Sequence, residues 1–280
     1  MLLVFVFVAY TGSVVINKAA NSFAYTMAEV LAVVNQKGGV GKTTTSVNLG
    51  SYLAHGGQQT LIVDLDPQAN ATAGVGVQVP DSAPTLYEVL LGRVAAADAV
   101  LPTQRENLSI LPASPDLVGA AFDLISRPYR EYRLRRALRT VKSSYQFILI
   151  DCPPSLGLLT INGLVASDRL LIPVQCEFYA LEGLHQLLQT VELVRQHLNP
   201  RLQVLGALLT MYDRRTYLGR KIAREVRRNF PGHVFDSIIP RNTELAEAPS
   251  EGKTILEYAR HCPGARAYEH LSEELLSLYS

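Results

Sequence analysis

Short, almost uninterrupted apolar runs recur along the chain, and mixed segments of helix length separate them. Their valine, isoleucine and leucine content is typical of strands that are buried on both faces of a parallel sheet. The pattern therefore predicts an α/β fold, with a doubly wound, mostly parallel sheet flanked by helices. The predicted strands are 30–34, 60–64, 108–111, 147–150, 170–174, 204–209 and 234–239.

Two segments depart from this alternation. Residues 78–99 contain two prolines and a glycine, and we interpret them as a surface excursion within one domain. Residues 127–142 are rich in arginine, which favours a solvated helix. Because no repeat or flexible linker interrupts the chain, residues 27–280 are interpreted as one domain.

The first 26 residues are strongly apolar and resemble the apolar part of a signal peptide. No basic residue precedes the run, and polar residues at 11–13 interrupt it before the ~20 residues that a spanning helix needs. Met27 opens a sequence that reads as the natural beginning of the first strand. We therefore interpret residues 1–26 as an N-terminal extension that results from a translation start placed too early. A membrane anchor is the alternative.

Composition narrows the class of protein. Of 280 residues, 48% are hydrophobic and 18% are charged, which predicts a globular protein with a sizeable core. The net charge is +1, so any affinity for nucleic acid has to come from a local patch. Cys152, Cys176 and Cys262 lie far apart, which disfavours a disulfide framework or a zinc site and fits the reducing cytoplasm.

A glycine-rich segment, NQKGGVGKTTTSVNL at 35–49, lies between the first predicted strand and a helix predicted over 43–54. This is the place of a phosphate-binding loop. Its glycines let successive N–H groups converge on phosphate oxygens, and the helix N-terminus adds partial positive charge. We expect Lys42 to reach the β- and γ-phosphates, Thr43 to ligate Mg²⁺ and Thr44 to bond a phosphate oxygen.

The entrance of this loop differs from the usual pattern. Gln36 stands where a glycine is usual, and a second lysine, Lys37, follows it. The sequence EGKT at 251–254 also contains Gly-Lys-Thr, but neither a glycine cluster nor a strand leads into it. That second segment is predicted to be a surface loop.

Three aspartates follow predicted buried strands near the loop. Asp64 and Asp66 end the second strand and, at positions i and i+2, are predicted to point toward the same crevice. Asp151 ends the hydrophobic strand in FILIDCPPSLG, which is the arrangement of a Walker B aspartate that holds Mg²⁺ or one of its waters. The neighbouring Cys152 is interpreted as a small residue of the core.

Together these segments resemble the ParA/Soj family of chromosome- and plasmid-partition ATPases, from about Met27 to the C-terminus. The motifs that carry the resemblance are KGGVGKTTT (a deviant Walker A motif), VDLDPQANAT, FILIDCPPSLGLLTINGL, PVQCEFYALEGL, LLTMYDRRTYLG and IPRNTELAEAPSEGK. Several long motifs in the right order are a specific signal. The resemblance implies a P-loop nucleoside triphosphatase that binds ATP and Mg²⁺ and hydrolyses ATP slowly until a partner stimulates it.

The resemblance also implies roles for single residues. Lys37 matches the signature lysine, which in relatives reaches across a dimer interface to the partner's ATP. Asp66 is expected to orient the attacking water, with a switch around Gln68, and 240–242 matches the stretch beside the adenine base. The predicted catalytic residues are Lys37, Lys42 and Asp66, and the predicted metal ligands are Thr43, Asp66 and Asp151. The predicted nucleotide-binding residues are Lys37, Gly38, Gly39, Val40, Gly41, Lys42, Thr43, Thr44, Asp151, Pro240 and Asn242.

A basic segment, YDRRTYLGRKIAREVRRNF, places cations on one face of a predicted helix and Ile222 and Val226 on the other. Such a stripe can neutralise DNA phosphates without reading sequence, although it can also be a solvated face. The resemblance favours DNA, since Arg215 matches an arginine that relatives use for non-specific binding. Glu244 stands where relatives often carry a second such arginine. The predicted DNA-binding residues are Arg215, Arg220, Lys221, Arg224, Arg227 and Arg228.

The predicted function is an ATP-dependent, dimerising, DNA-binding ATPase that segregates chromosomes or plasmids with a ParB-type centromere-binding protein on the nucleoid. One alternative is a membrane-associated positioning ATPase similar to MinD. That class carries a basic amphipathic C-terminal helix, whereas this chain ends in AYEHLSEELLSLYS, so no stable membrane association is expected. An iron–sulfur carrier is a further alternative, but it needs closely spaced cysteines, which this chain lacks.

Overall fold

The computed structural model describes residues 28–177 and 180–279. Within them, eight strands form one sheet in the order β3-β4-β2-β5-β1-β6-β7-β8. All neighbouring strands are parallel except β3, which pairs antiparallel with β4. The strands are β1 (Glu29–Val33), β2 (Thr60–Asp64), β3 (Leu101–Pro102), β4 (Leu108–Leu111), β5 (Phe147–Asp151), β6 (Arg169–Gln175), β7 (Gln203–Tyr212) and β8 (Val234–Pro240).

Helices cover both faces of this sheet. The hydrophobic core on one face is built with α1, α2 and α10–α12, and the core on the other face with α3–α9. Both faces of β2 and β5 are buried along their whole length, which explains their uninterrupted apolar runs. The helices are α1 (Lys42–His55), α2 (Asn70–Gly74), α3 (Leu86–Leu91), α4 (Ala96–Ala99), α5 (Leu117–Ile125), α6 (Arg133–Leu138), α7 (Leu158–Ala166), α8 (Ala180–His197), α9 (Tyr217–Asn229), α10 (Thr243–Glu247), α11 (Ile255–Tyr258) and α12 (Pro263–Ser277).

The predicted doubly wound, mostly parallel sheet is confirmed, and all seven predicted strands are present with ends shifted by at most three residues. The short edge strand β3 was not predicted, because two residues that include a proline carry no periodic signal. Cys152, Cys176 and Cys262 are buried free thiols, and Cys152 lies in the core as predicted.

The prediction of a surface excursion over 78–99 is wrong for its second half. Thr85 and Glu88 form a reciprocal capping box that starts α3, and Leu86 and Leu90 are fully buried against the sheet. Both prolines of this segment, Pro80 and Pro84, lie before the first residue of α3, so they do not interrupt the helix.

Two further predictions need correction. Residues 127–142 do not form one solvated helix, because Tyr129 has a left-handed backbone with φ of 55° and only the short α6 follows, with Leu134 buried. The EGKT segment is not simply a surface loop, since Thr254 is fully buried and caps α11. The backbone N–H of Ile255 donates to Asn48 Oδ1 of α1 at 2.7 Å, which ties this segment to the core.

The predicted N-terminal extension, residues 1–26, lies outside the described residues, so its interpretation stays a prediction. Among the residues that the structure describes, no helix is both long enough and apolar enough to cross a bilayer.

Candidate functional site

The carboxyl ends of β1, β2 and β5 lie side by side at one edge of the sheet. β5 lies between the other two strands, and its last residue, Asp151, pairs in register with Val33 of β1 and Asp64 of β2. The glycine-rich loop leaves β1 at this point, and Asp66 follows β2. The topology therefore brings together the segments that the sequence predicted to form one site, in the crevice where open α/β sheets bind ligands.

The loop is held in an open curve by glycine and by anchors to neighbouring strands. Gly39 and Gly41 have φ of 69° and 88°, a left-handed backbone that other residues rarely adopt. Thr210 Oγ1 of β7 donates to the Val40 carbonyl at 2.8 Å, and Asn35 Nδ2 donates to the Pro173 carbonyl at 2.7 Å. α1 starts at this loop with no side-chain cap, so its first turn offers N–H groups to an anion.

The two lysines of the loop have opposite environments. Lys42 is buried, and its Nζ donates to the Lys37 carbonyl at 2.9 Å. Burial lowers the pKa of Lys42, while the nearby Asp151 opposes that shift. The Lys37 side chain is 39% exposed, and its Nζ lies 2.8 Å from Glu177 Oε2. Lys42 thus faces the inside of the loop, whereas Lys37 lies at its outer rim.

Hydroxyl and carboxylate oxygens cluster beneath the loop. Thr43 Oγ1 donates to Asp151 Oδ2 at 2.7 Å, and Ser46 Oγ donates to Asp151 Oδ1 at 2.9 Å. Oxygen ligands of this kind suit Mg²⁺.

Asp64 and Asp66 have different surroundings, although both follow the same strand. Asp64 is fully buried, and its Oδ2 accepts hydrogen bonds from the Thr72 N–H at 2.8 Å and the Thr72 hydroxyl at 2.7 Å. Asp66 Oδ1 accepts from the Gln68 N–H at 3.0 Å. Asp64 therefore fastens α2 to the sheet, and Asp66 is joined to the segment predicted to be a switch.

Burial raises the pKa of two of these carboxyl groups. The pKa of Asp151 rises to about 7, first because it is buried and then because Asp64 lies close, and the pKa of Asp64 rises to about 6 by burial. Between about pH 4 and pH 7 the folded state therefore holds protons that the unfolded state has released. The free energy of unfolding consequently falls as the pH rises through this window.

Asparagine at position 151 mimics the protonated carboxyl group and removes this cost. For the nucleotide-free protein in EDTA, we expect Asp151→Asn to raise the melting temperature at pH 8 by about 2–5 °C, the shift that roughly 1 kcal/mol produces. At pH 4 the variant and the unchanged protein are expected to melt together. Differential scanning fluorimetry across the pH range measures both, and a lower melting temperature at pH 8 would contradict the assignment.

A pocket of 380 Å³ opens beside the loop. Pro240 and Asn242, predicted to flank the adenine base, line it together with Gly41 and Thr44 of the loop and Tyr268 of α12. The pocket is therefore continuous with the loop, and the adenine role of Pro240 and Asn242 stays a prediction.

Several residues of the site were missed by the sequence analysis. Ser46, three residues after Thr43 on the same helix, lies on the face toward Asp151, so helical spacing could have identified it. Thr210 and Glu177 reach the loop from distant strand ends, and no local sequence signal marks them.

The predicted basic stripe lies on α9, where Ile222 and Val226 are buried as predicted. Arg215 precedes the helix, and its guanidinium, 86% exposed, makes an ion pair with Asp213 at 2.9 Å. The Arg220 guanidinium donates to the Arg214 carbonyl at 2.7 Å, which fixes the turn before the helix. The exposed cations of the helix are Arg220, Lys221, Arg224, Arg227 and Arg228.

Comparison with known proteins identifies the family. A family model described as an AAA domain matches residues 28–204. The sporulation initiation inhibitor protein Soj of Bacillus subtilis is 52% identical over 249 residues, covering 89% of this chain and 98% of the relative. The chromosome partitioning protein ParA of Caulobacter vibrioides is 48% identical over 250 residues, covering 89% of this chain and 94% of the relative. The chain belongs to the ParA/Soj family. It is a partitioning ATPase.

Solved structures of proteins with other names share the fold. A structure described as cobyrinic acid a,c-diamide synthase from Mycobacterium smegmatis, with bound ADP and magnesium, is 40% identical with a TM-score of 0.79 and covers 90% of this chain and 96% of that one. The cell division ATPase MinD from Pyrococcus furiosus is 28% identical with a TM-score of 0.75, covering 90% and 100%. The predicted P-loop nucleoside triphosphatase fold is confirmed.

Proposed function

We propose that this ATPase dimerises when it binds ATP and Mg²⁺, that the dimer binds double-stranded DNA without sequence preference, and that a ParB-type centromere-binding protein stimulates hydrolysis. The cycle would segregate a chromosome or plasmid over the nucleoid. Family membership supports this reading, since the similar ParA of Caulobacter vibrioides and Soj of Treponema pallidum carry chromosome-partitioning names.

The position of Lys37 carries the proposal. Lys42 already supplies the cation inside the loop, so a second lysine at the exposed rim adds little to a nucleotide held by one copy. Two nucleotides that face each other across an interface concentrate negative charge, and a cation given by each copy to the other offsets it. Binding of ATP then favours the dimer by linkage, and loss of the γ-phosphate weakens it.

The other residues of the site have separate roles in the proposed cycle. Lys42 exchanges the Lys37 carbonyl for the β- and γ-phosphates, and Thr43 with Asp151 holds the metal or its waters. Mg²⁺, when bound, neutralises charge that develops on the phosphates. Asp66 orients the attacking water. Because such a reaction depends on positioning, an incompletely assembled site holds ATP for long periods and acts as a timer until the partner arrives.

The basic stripe of α9 is proposed as the DNA-binding face. Its cations are exposed on one side of the helix while the other side is packed into the core, so they can contact phosphates without disturbing the fold. Glu244, which stands where relatives often carry an arginine, accepts a hydrogen bond from Asn242 Nδ2 at 2.8 Å. Its negative charge cannot contribute to binding DNA. Affinity for DNA would then depend on Arg215 and the stripe.

The structure disfavours the MinD-like membrane alternative. Tyr268, Leu271 and Leu275 of the C-terminal helix α12 are buried in the core, so the apolar face of this helix is already covered by protein. The exposed positions of the helix include Glu269 and Glu273, which anionic lipids would repel.

DNA co-sedimentation in the presence of ATP, of ADP and without nucleotide tests the proposed switch. Retention on DNA only with ATP supports it. Equal retention in all three conditions would show that DNA binding does not depend on the nucleotide and would contradict the proposed switch.

Glu177 is expected to compete with the phosphates for Lys37. Its carboxylate lies 2.8 Å from Lys37 Nζ, and Gln175 donates to its other oxygen. Exposed ion pairs contribute about 0.2–1 kcal/mol, so Glu177→Gln should lower the ATP concentration for half-maximal dimerisation by about two- to fivefold. Light scattering during an ATP titration measures this midpoint, with Glu192→Gln, which loses an exposed ion pair on α8, as control. An unchanged or higher midpoint would show that Glu177 does not restrain Lys37.

A further inference from the structure

Helix α5 carries an apolar stripe that faces solvent. Leu117, Ala120 and Leu124 form its buried side, and a second apolar row runs along the opposite side. The residues of this second row, here called the α5 face, are Val118, Phe122, Ile125 and Tyr129, with exposures of 65, 75, 57 and 62%. The first three recur at i, i+4 and i+7, the spacing with which one helix packs against another. Three large apolar side chains exposed on one side of a helix are unlike scattered single apolar residues and favour an interaction site.

Arginines flank the α5 face. The Arg136 guanidinium lies 4.7 Å from the centre of the Tyr129 ring, and Arg127 Nη1 donates to the Leu91 carbonyl at 3.0 Å. Arg133 Nε is enclosed and has no acceptor within the described part of the chain. Partial burial, and then the charges of Arg127 and Arg136, lower the pKa of Arg133. Three cations therefore lie near one another, and one of them, Arg136, contacts Tyr129 of the α5 face.

The acidic groups closest in sequence are already engaged. Asp123 Oδ2 accepts from the Tyr87 hydroxyl at 2.7 Å, and Glu131 Oε1 accepts from Arg130 at 2.9 Å. Neither carboxylate is bonded to Arg133 within the described residues. Among the described residues of this region, no free carboxylate therefore pairs with the arginine cluster. A partner that binds here would have to supply both carboxylates and an apolar surface.

We propose that the α5 face with its flanking arginines docks an amphipathic helical segment of another protein, whose apolar residues cover Phe122 and whose Asp or Glu residues meet the arginines. Charge selects this occupant. If a second copy of the chain bound this face about a two-fold axis, Arg136 and Arg127 would face the same arginines of the other copy, and the like charges would repel. Residues 1–27 of this chain contain no Asp or Glu, so they cannot supply the carboxylates. DNA would satisfy the arginines but leave Phe122 and Ile125 in water.

A pair of synthetic helical peptides tests the proposal. The first has leucines at i, i+4 and i+7 flanked by glutamates, and the second has every glutamate replaced by lysine. We expect the glutamate peptide to bind at least about tenfold more tightly in fluorescence anisotropy. Phe122→Ser should weaken it at least about tenfold, and Arg136→Glu should invert the preference between the peptides. Because Phe122 is 75% exposed, the serine variant is expected to keep its melting temperature and its ATPase rate.

Other outcomes overturn the proposal. Equal binding of both peptides, or binding that survives Phe122→Ser, would show that the α5 face is not the docking site. Self-association without nucleotide that Phe122→Ser abolishes in analytical ultracentrifugation would assign the face to a second copy. Loss of DNA retention in Arg136→Glu, with no binding of the glutamate peptide, would assign the arginines to DNA.

Discussion

Replacing Lys37 with alanine is expected to abolish the ATP-dependent dimer while each monomer still binds ATP. Each dimer would lose two contacts between a lysine and a phosphate, and hydrogen bonds to charged groups contribute about 1.5–3 kcal/mol each. The dimer should therefore weaken at least about a hundredfold. Light scattering coupled to gel filtration, with a slowly hydrolysed ATP analogue and Mg²⁺, measures the change.

Two variants serve as controls for this result. Lys142 also forms an ion pair, with Asp168 at 3.0 Å, but at the opposite edge of the sheet, so Lys142→Ala should dimerise normally. Lys42→Ala is expected to lose nucleotide binding itself, because Lys42 is the buried cation inside the loop. A Lys37→Ala protein that still dimerised with ATP would refute the role of Lys37 across the interface and, with it, the link between nucleotide and dimer.

Reversing the charge at Arg215 is expected to abolish retention on DNA while ATP binding is unchanged. The exposed guanidinium would be replaced by a second carboxylate beside Asp213, which repels phosphates where one of them is now attracted. We expect at least about a tenfold loss of affinity and a shallower dependence of log affinity on log salt, by about one for each phosphate contact removed. Fluorescence anisotropy with labelled duplex DNA at several salt concentrations measures both.

Arg195→Glu is the matched control for Arg215→Glu. Arg195 is also exposed and paired with a nearby carboxylate, Glu192, but it lies on α8 outside the basic stripe. This variant changes the net charge equally, so an equal loss of affinity would show a general charge effect. Combined reversal of Arg220 and Arg224 extends the test along the stripe, and unchanged DNA binding in both variants would place the DNA elsewhere.

Patterns that depend on local sequence were predictable. Buried parallel strands are apolar on both faces, so β2 and β5 stand out without any knowledge of their neighbours. The phosphate loop combines a strand, closely spaced glycines and a helix start, and all three are confirmed. The capping box of Thr85 and Glu88 was also readable from the sequence, but the prolines before it dominated the interpretation of that segment.

Contacts between distant parts of the chain were not predictable. Glu177 meets Lys37 only because β6 lies beside β1 in the sheet, and a single sequence does not give strand order. The hydrogen bonds of Asp64 to Thr72, which lies on the following helix, were likewise not predicted. By contrast, the break in the helix predicted over 127–142 had a local signal, because Pro128 directly precedes Tyr129 and a proline interrupts a helix.

The anchoring of the loop by Thr210 and Asn35 has a consequence for energy transfer. A loop that is tied to two strands loses less conformational freedom when a ligand arrives, so the ordering penalty of binding is reduced. Less of the free energy of binding the triphosphate is then lost in ordering the loop. More of the binding free energy then remains to stabilise the proposed dimer.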